Sequence, residues 1–350
     1  MQNKSFQKIK NTILFLFGLI VLGYLSYIFS DIVIILTISF LLALIFNPFV
    51  NFLEHKGLKR IFAVFIVFIF SAYLIFIGLY YFIPKITVQF QAISQAINKD
   101  KIDNVIMQIQ EFAKNRIPLV DAEGIGEKIS QFFSNTILNS FTNISNILSR
   151  IVSVLVIVFI VPFITFFLLK DNTKIMRGIV SILPNKYFEM VFMVIYKIRV
   201  QLGRYVRSWL LDAMLVGLLS GIGLTILGIK NSFTIGLIAA LGHLIPYFGP
   251  IVGGVPAIII SVIQFGNLSM LPSIIIMFAI VYAIDSGVIQ PNLFSKSTDM
   301  HPLIIILLII AGSEIMGMLG MLLAVPTATV LKTAIRETYI GFKRYSIIHS

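Results

Sequence analysis

Six stretches of the chain are almost wholly apolar: residues 12–29, 32–52, 61–83, 151–169, 209–229 and 272–289. Each is long enough, at 1.5 Å per residue, to cross about 30 Å of hydrocarbon. In lipid their backbone groups must be satisfied within the segment, so each is predicted to be a membrane-spanning helix. Two more apolar stretches are interrupted near the middle. Residues 233–263 are broken by Ile245-Pro246-Tyr247-Phe248-Gly249-Pro250, and residues 303–331 by Gly312-Ser313-Glu314, then Gly317, Gly320 and Pro326. Two prolines four residues apart with glycine between them do not sit in a straight helix. The arms on either side, about 10 to 14 residues each, are too short to span.

The interrupted stretches fit either two re-entrant helical hairpins or two kinked ordinary spans, since proline and glycine are common in transmembrane helices. Both arrangements bring the tail to the same side, and the paired breaks favour hairpins. In that case a span plus its hairpin is repeated with inverted topology. The tips then meet near the midplane, where half-helix ends offer unpaired N–H or C=O groups. The predicted fold is all-α and polytopic: six full spans, two broken or re-entrant hairpins, and an external amphipathic segment.

That external segment is residues 84–150. Its lysines and arginines nearly balance its acids, and Ile93, Ile97, Ile102, Ile106, Ile109 and Phe112 recur at helical spacing. The chain thus divides into three spans (1–83), the external segment (84–150), a fourth span with basic interfacial helices (151–207), a core carrying the inverted repeat (208–335) and a tail (336–350). Lys4, Lys8 and Lys10, the loop from His55 to Arg60, eight basic residues between Lys170 and Arg207, and Lys332, Arg336, Lys343 and Arg344 mark the inner side. Both termini are therefore expected in the cytoplasm of a bacterial inner membrane. Residues 12–29 are read as a span and not as a cleaved signal peptide, because no small-x-small site follows and a second apolar run begins at Ile32.

Composition sharpens this picture. Of 350 residues, 58% are hydrophobic and only 12% are charged, against about a quarter charged in a soluble domain. The net charge of +12 lies between apolar runs, so nucleic acid is not an expected partner; the lipid bilayer is. There is no cysteine, no G-x-x-x-x-G-K-[ST], no H-E-x-x-H and no G-x-S-x-G. The chain reads as no enzyme, needing no cofactor and showing no metal site.

Charged side chains inside a span cost about 2.5 to 3.5 kcal/mol on insertion scales, so each needs a reason. Asp212 lies one turn into a span, where it would either pair with Arg204 or Arg207 or hold an ion. Asp285 lies one turn before Gln290, and Glu314 sits in the second break; each is an ion or proton site, or else an interfacial charge or cap. His243 precedes the first break and is either a structural group or a proton carrier. Tyr247, Ser313, Gln290 and Asn292 could hydrogen-bond a small hydroxylated solute. Pro246, Gly249, Pro250, Gly312 and Gly317 make the breaks. Gly217 and Gly221 form a small-x-x-x-small pair suited to close helix packing.

Leu244-Ile245-Pro246-Tyr247-Phe248-Gly249-Pro250-Ile251-Val252-Gly253-Gly254-Val255-Pro256-Ala257 resembles the signature of the autoinducer-2 exporter family of bacterial permeases. Ile289-Gln290-Pro291, Met300-His301-Pro302, Gly317 to Gly320 and Ala324-Val325-Pro326 are similar to that family's C-terminal pattern, and Gly221-Ile222-Gly223-Leu224 with Leu227-Gly228 to its fifth span. The resemblance covers essentially the whole chain. It implies a secondary transporter exporting a small polar solute such as autoinducer-2, or a sodium(lithium)/proton antiporter, or a non-transporting membrane scaffold in sporulation. It also implies an elevator-like moving part and a ring-shaped homo-oligomer, a pentamer.

Overall fold

A computed structural model describes residues 28–96, 158–181, 188–294 and 300–348, together with Tyr24 and Met107. Among these residues every regular element is helical. Most of the first predicted span, most of the external segment and the loop holding Lys296 lie outside them.

The chain divides into two units. One comprises residues 1–67 and 150–178. In it α1 (Ser30–His55) turns through Lys56 to Lys59 into the first residues of α2 (Arg60–Ala96), with Gly57 at φ 95° in the left-handed region that glycine tolerates. α3 (Val158–Lys170) packs on α1 through an exchange of hydroxyl hydrogen bonds. Ser39 Oγ donates to Val161 O at 3.3 Å and Thr165 Oγ1 to Ser39 O at 3.2 Å. Arg60 ties the end of α3 to this pair, donating from Nε to Leu169 O at 2.7 Å and from a terminal nitrogen to Glu54 Oε2 at 2.7 Å. α4 (Asn172–Ser181) follows. α2 does not stop at residue 83 as its apolar run predicts. It continues through Pro84, whose missing N–H removes a single helical hydrogen bond.

The second unit comprises residues 68–149 and 179–350. α5 (Phe188–Ile226) is one helix where the sequence pattern reads an interfacial helix ending near residue 206 and a separate span from 209. No proline or glycine pair interrupts it there, so nothing in the backbone requires a break. α6 (Ser232–His243) returns antiparallel along α5. The seam is made by glycine: a Cβ on Gly217 would lie 2.5 Å from Ala240 Cβ and 2.7 Å from Gly236 O, and one on Gly236 would lie 2.9 Å from Gly221 Cα.

After a five-residue turn, α7 (Gly249–Phe265) folds back on α6. Gly253 lies against Ala239 and Gly242 against Val252, so the first interrupted stretch is an antiparallel pair of short helices. α8 (Leu271–Ile284) widens into a π-turn over Asp285–Ile289 and continues as α9 (Gln290–Phe294).

α10 (Pro302–Ile348) leaves helical geometry at Met316 and Gly317. Gly312 and Gly320 lie backbone to backbone, which a straight helix would hold about 12 Å apart, so the chain reverses between them. Its C-terminal arm runs antiparallel to the start of α5, with Gly341 against Met190 and Thr333 Oγ1 bonded to Gln201 Oε1 at 3.0 Å.

Among the described residues five segments are long and apolar enough to cross a membrane: Ser30–His55, Arg60–Gly78, Phe188–Ile226, Leu271–Phe294 and Pro302–Gly341, the last of which contains the reversal. Their apolar side chains largely point outward. Ile69 is 69% exposed and Phe76 65%, a surface suited to lipid and not to water. The buried core of the second unit gathers Val216, Leu224, Ile235, Ala257, Ile274 and Phe278 from α5 to α8.

Candidate functional site

The glycine seam sets the register of α5 and α6 so that Asp212 on the first faces His243, the last residue of the second. α6 ends at His243 because Pro246 lacks an N–H and Tyr247 adopts φ 72°, an uncommon left-handed conformation for a residue with a side chain. The turn is held by the indole of Trp209, which donates from Nε1 to Leu244 O at 2.9 Å. α7 then starts at Gly249 with proline in its first turn, a favourable placement. Gly249 packs directly on the imidazole: a Cβ there would lie 2.7 Å from His243 Nδ1.

The third member comes from the π-turn. In an α-helix, residues five apart point about 140° away from each other. The wider turn over Asp285–Ile289 brings Gln290 round to Asp285, and its side-chain amide donates to Asp285 Oδ2 at 2.8 Å. Ser208 Oγ, one residue before Trp209, donates to Leu293 O at 2.8 Å and fixes α9 against α5.

The result is a trio of ionisable side chains from three elements. His243 Nε2 lies 3.3 Å from Asp212 Oδ2 and 3.5 Å from Asp285 Oδ2. The three offer donor atoms within 4.8 Å of one another. Asp212 is 4% exposed, His243 2% and Asp285 1%. One oxygen of each carboxylate and His243 Nδ1 have no hydrogen-bond partner. Unpaired charge in such surroundings is strongly unfavourable. Two carboxylates facing one imidazole therefore call for a compensating cation, whether a proton or a metal ion.

Of the residues singled out in the sequence, the structure brings together Asp212, His243, Asp285 and Gln290. Asp212 forms its ion pair with His243, not with Arg204 or Arg207, because residues 204 and 207 lie on other faces of α5. Tyr247 is half-buried in the turn beside the site. Asn292 is exposed and donates to Val288 O at 2.8 Å. Ser313 is half-buried and donates to Ile310 O at 2.7 Å, while Glu314 is exposed near the reversal of α10 and does not join the trio. Pro246, Gly249 and Pro250 form the first turn. Gly312 and Gly317 form the second, where Gly317 has φ 59° and ψ −138°, a conformation essentially restricted to glycine. Sequence reasoning missed Trp209, Ser208 and Gly236. Trp209 carried one signal, as the only tryptophan in the chain, three residues before Asp212.

A family model described as "AI-2E family transporter" matches residues 14–340. "Putative transport protein YrrI" of Bacillus subtilis (strain 168) is 26% identical over 319 residues, covering 87% of this chain and 85% of that protein. "Putative transport protein YueF" of the same organism is 28% identical over 330 residues, 88% of this chain and 86% of the relative. "Putative permease PerM" of Escherichia coli (strain K12) is 25% identical over 170 residues, 49% of this chain and 48% of that protein.

Proposed function

Because this chain belongs to the AI-2E transporter family, we propose that it is a cation-coupled secondary transporter that moves a small polar solute, such as autoinducer-2, out of the cell. The observation that carries the proposal is the buried trio of Asp212, His243 and Asp285, whose donor atoms lie within 4.8 Å of one another among apolar helices. Ionisable groups at such depth are costly and mark ion pathways. A cation entering the trio offsets its negative charge, and its departure restores it. This gives two states of the site that differ in electrostatic energy, which is what coupling requires. Short helices ending at the site, α6 and α7, supply backbone ends that could move with little loss of hydrogen bonding. An elevator-like displacement of the hairpin-bearing helices, in a bacterial inner membrane with both termini cytoplasmic and in a ring of identical subunits, completes the proposal.

A second version is favoured by the same trio: the cation itself is the cargo, and the chain exchanges sodium for protons. Proteoliposomes separate the two. Under the first, an imposed proton or sodium gradient drives autoinducer-2 across the membrane and Asp285→Asn stops it. Under the second, the gradients drive each other with no solute present. If folded protein in sealed vesicles moves neither solute nor cation, both versions fail.

A further inference from the structure

We propose that Asp212, His243 and Asp285 form a binding site for one divalent transition-metal ion of the zinc, cobalt or manganese class, ligated by His243 Nε2 and one oxygen from each carboxylate. The proposal deepens the transport reading, since the metal would be the cation that occupies the coupling site, and rests on it for its consequence in transport; binding itself can be measured apart.

Three geometric facts support a metal over a plain hydrogen-bonded triad. The distances of 3.3 Å and 3.5 Å from Nε2 to the two Oδ2 atoms exceed the 2.7–2.9 Å of good charge-assisted hydrogen bonds. They match the edge of a tetrahedron around a metal with ligands at about 2.1 Å, which is about 3.4 Å. His243 Nε2 is also shared between carboxylates from two separate helical elements, although a single N–H can point well at only one of them. Lastly, Asp212 Oδ1 and Asp285 Oδ1 are buried without partners. A metal would satisfy the charge on both carboxylates, or accept the second oxygen of either.

The donor set narrows the class. Sodium, magnesium and calcium favour shells of oxygen, six to eight for calcium. An imidazole with two carboxylates suits zinc, manganese, cobalt or iron. The charge is also right: two carboxylates and a divalent ion sum to zero with the imidazole neutral. Gln290, bonded to Asp285 Oδ2, holds one ligand in orientation, as groups behind metal ligands commonly do. Sequence spacing gives no hint of this site, because its ligands come from three elements and not from one motif.

The test uses the full-length chain purified in detergent without a polyhistidine tag. Cobalt(II) is titrated in while its visible absorption and the fluorescence of Trp209, the only tryptophan, are followed. The expected result is saturation at one cobalt per chain with quenching of Trp209, and competitive displacement by zinc. Asp285→Asn and His243→Gln lose saturable binding while keeping their size-exclusion profile. Should either fail to fold, Gln290→Ala, which removes only the supporting amide, gives an independent measure: about 10- to 100-fold weaker binding. Absence of saturable binding by folded protein overturns the proposal. So does binding that survives unchanged in Asp285→Asn, or that is lost in His301→Gln, which would place the ion on an exposed histidine. Solute or sodium transport that persists in metal-free vesicles, with no cobalt bound, sinks the metal site and leaves the transporter standing. Cobalt binding without transport of anything does the reverse.

Discussion

Replacing Gly236 by alanine tests how the glycine seam governs the site. The new Cβ would lie 2.5 Å from Gly217 O and 2.9 Å from the backbone of Gly221. Ordinary contact begins at 3.4 Å, so α5 and α6 must part by the difference, about 0.9 Å, because both obstacles are backbone and neither can rotate away. Overpacking of this kind costs about 1–3 kcal/mol, while alanine regains about 1 kcal/mol of helix propensity. The net loss of stability is therefore small, between about 0 and 2 kcal/mol.

The effect on the site is larger. His243 lies seven residues beyond Gly236 on the same helix, so a rigid shift would stretch the His243–Asp212 separation from 3.3 Å to about 4.2 Å, outside hydrogen-bond range. Losing an interaction with a charged group costs about 1.5–3 kcal/mol, or roughly 10- to 100-fold in cation affinity. The assay pairs thermal unfolding, read from Trp209 fluorescence, with gradient-driven transport in proteoliposomes. Gly78→Ala is the control, since nothing lies within 4 Å of its Cβ position. The expected outcome is a melting temperature close to that of the control with transport reduced more than about tenfold. If Gly236→Ala transports as well as Gly78→Ala, the seam does not set the geometry of the trio.

Other predictions follow from single contacts. Thr225 Oγ1 and Ser232 Oγ lie 2.6 Å apart across the α5–α6 turn; since the chain has no cysteine, the double variant Thr225→Cys, Ser232→Cys should form an intrachain disulfide under mild oxidation, read as loss of maleimide labelling. Gly317→Ala should destabilise the second reversal by about 1–3 kcal/mol through backbone strain alone, because space is available around its Cβ position; an unchanged melting curve would argue against the reversal. Trp209→Phe removes the indole donor to Leu244 O and should cost about 1 kcal/mol, checked by thermal unfolding of the variant with circular dichroism. Lys59→Cys should label with an impermeant thiol reagent only from the cytoplasmic side if the Lys56–Lys59 turn faces inward.

Much of the architecture was legible from apolar run length and from where proline and glycine interrupt it. Pro246 and Gly249, and Gly312 and Gly317, mark the two points where the chain reverses: Pro246 lacks an N–H, Gly317 takes a positive φ, and Gly249 and Gly312 sit where a Cβ would clash. The candidate residues were legible only one by one. Asp212, His243 and Asp285 each stand out as polar groups in apolar runs, but their meeting depends on the packing of α5, α6 and α8, which hydropathy does not encode. Glu314 looked equivalent to Asp285 for the same reason, and differs because it lies exposed beside a turn. The π-turn left no mark at all, since Ser286 and Gly287 are compatible with an ordinary helix. The continuity of α5 was obscured by its basic first half, which reads as a surface helix when taken alone.

The widened turn has a consequence for how this segment could be altered. It holds one residue more than a regular helical turn needs. Deleting Gly287, where an added Cβ would meet nothing within 4 Å, would let the segment relax to α geometry with the residues after it close to their present phase, because the widened turn has already absorbed the extra residue. Asp285 and Gln290 would then stand four apart and remain neighbours on one face, and Leu293 O would stay beside Ser208. The bulge is thus an inserted residue that the helix has taken up, and ironing it out would spare the amide-to-carboxylate support of the site.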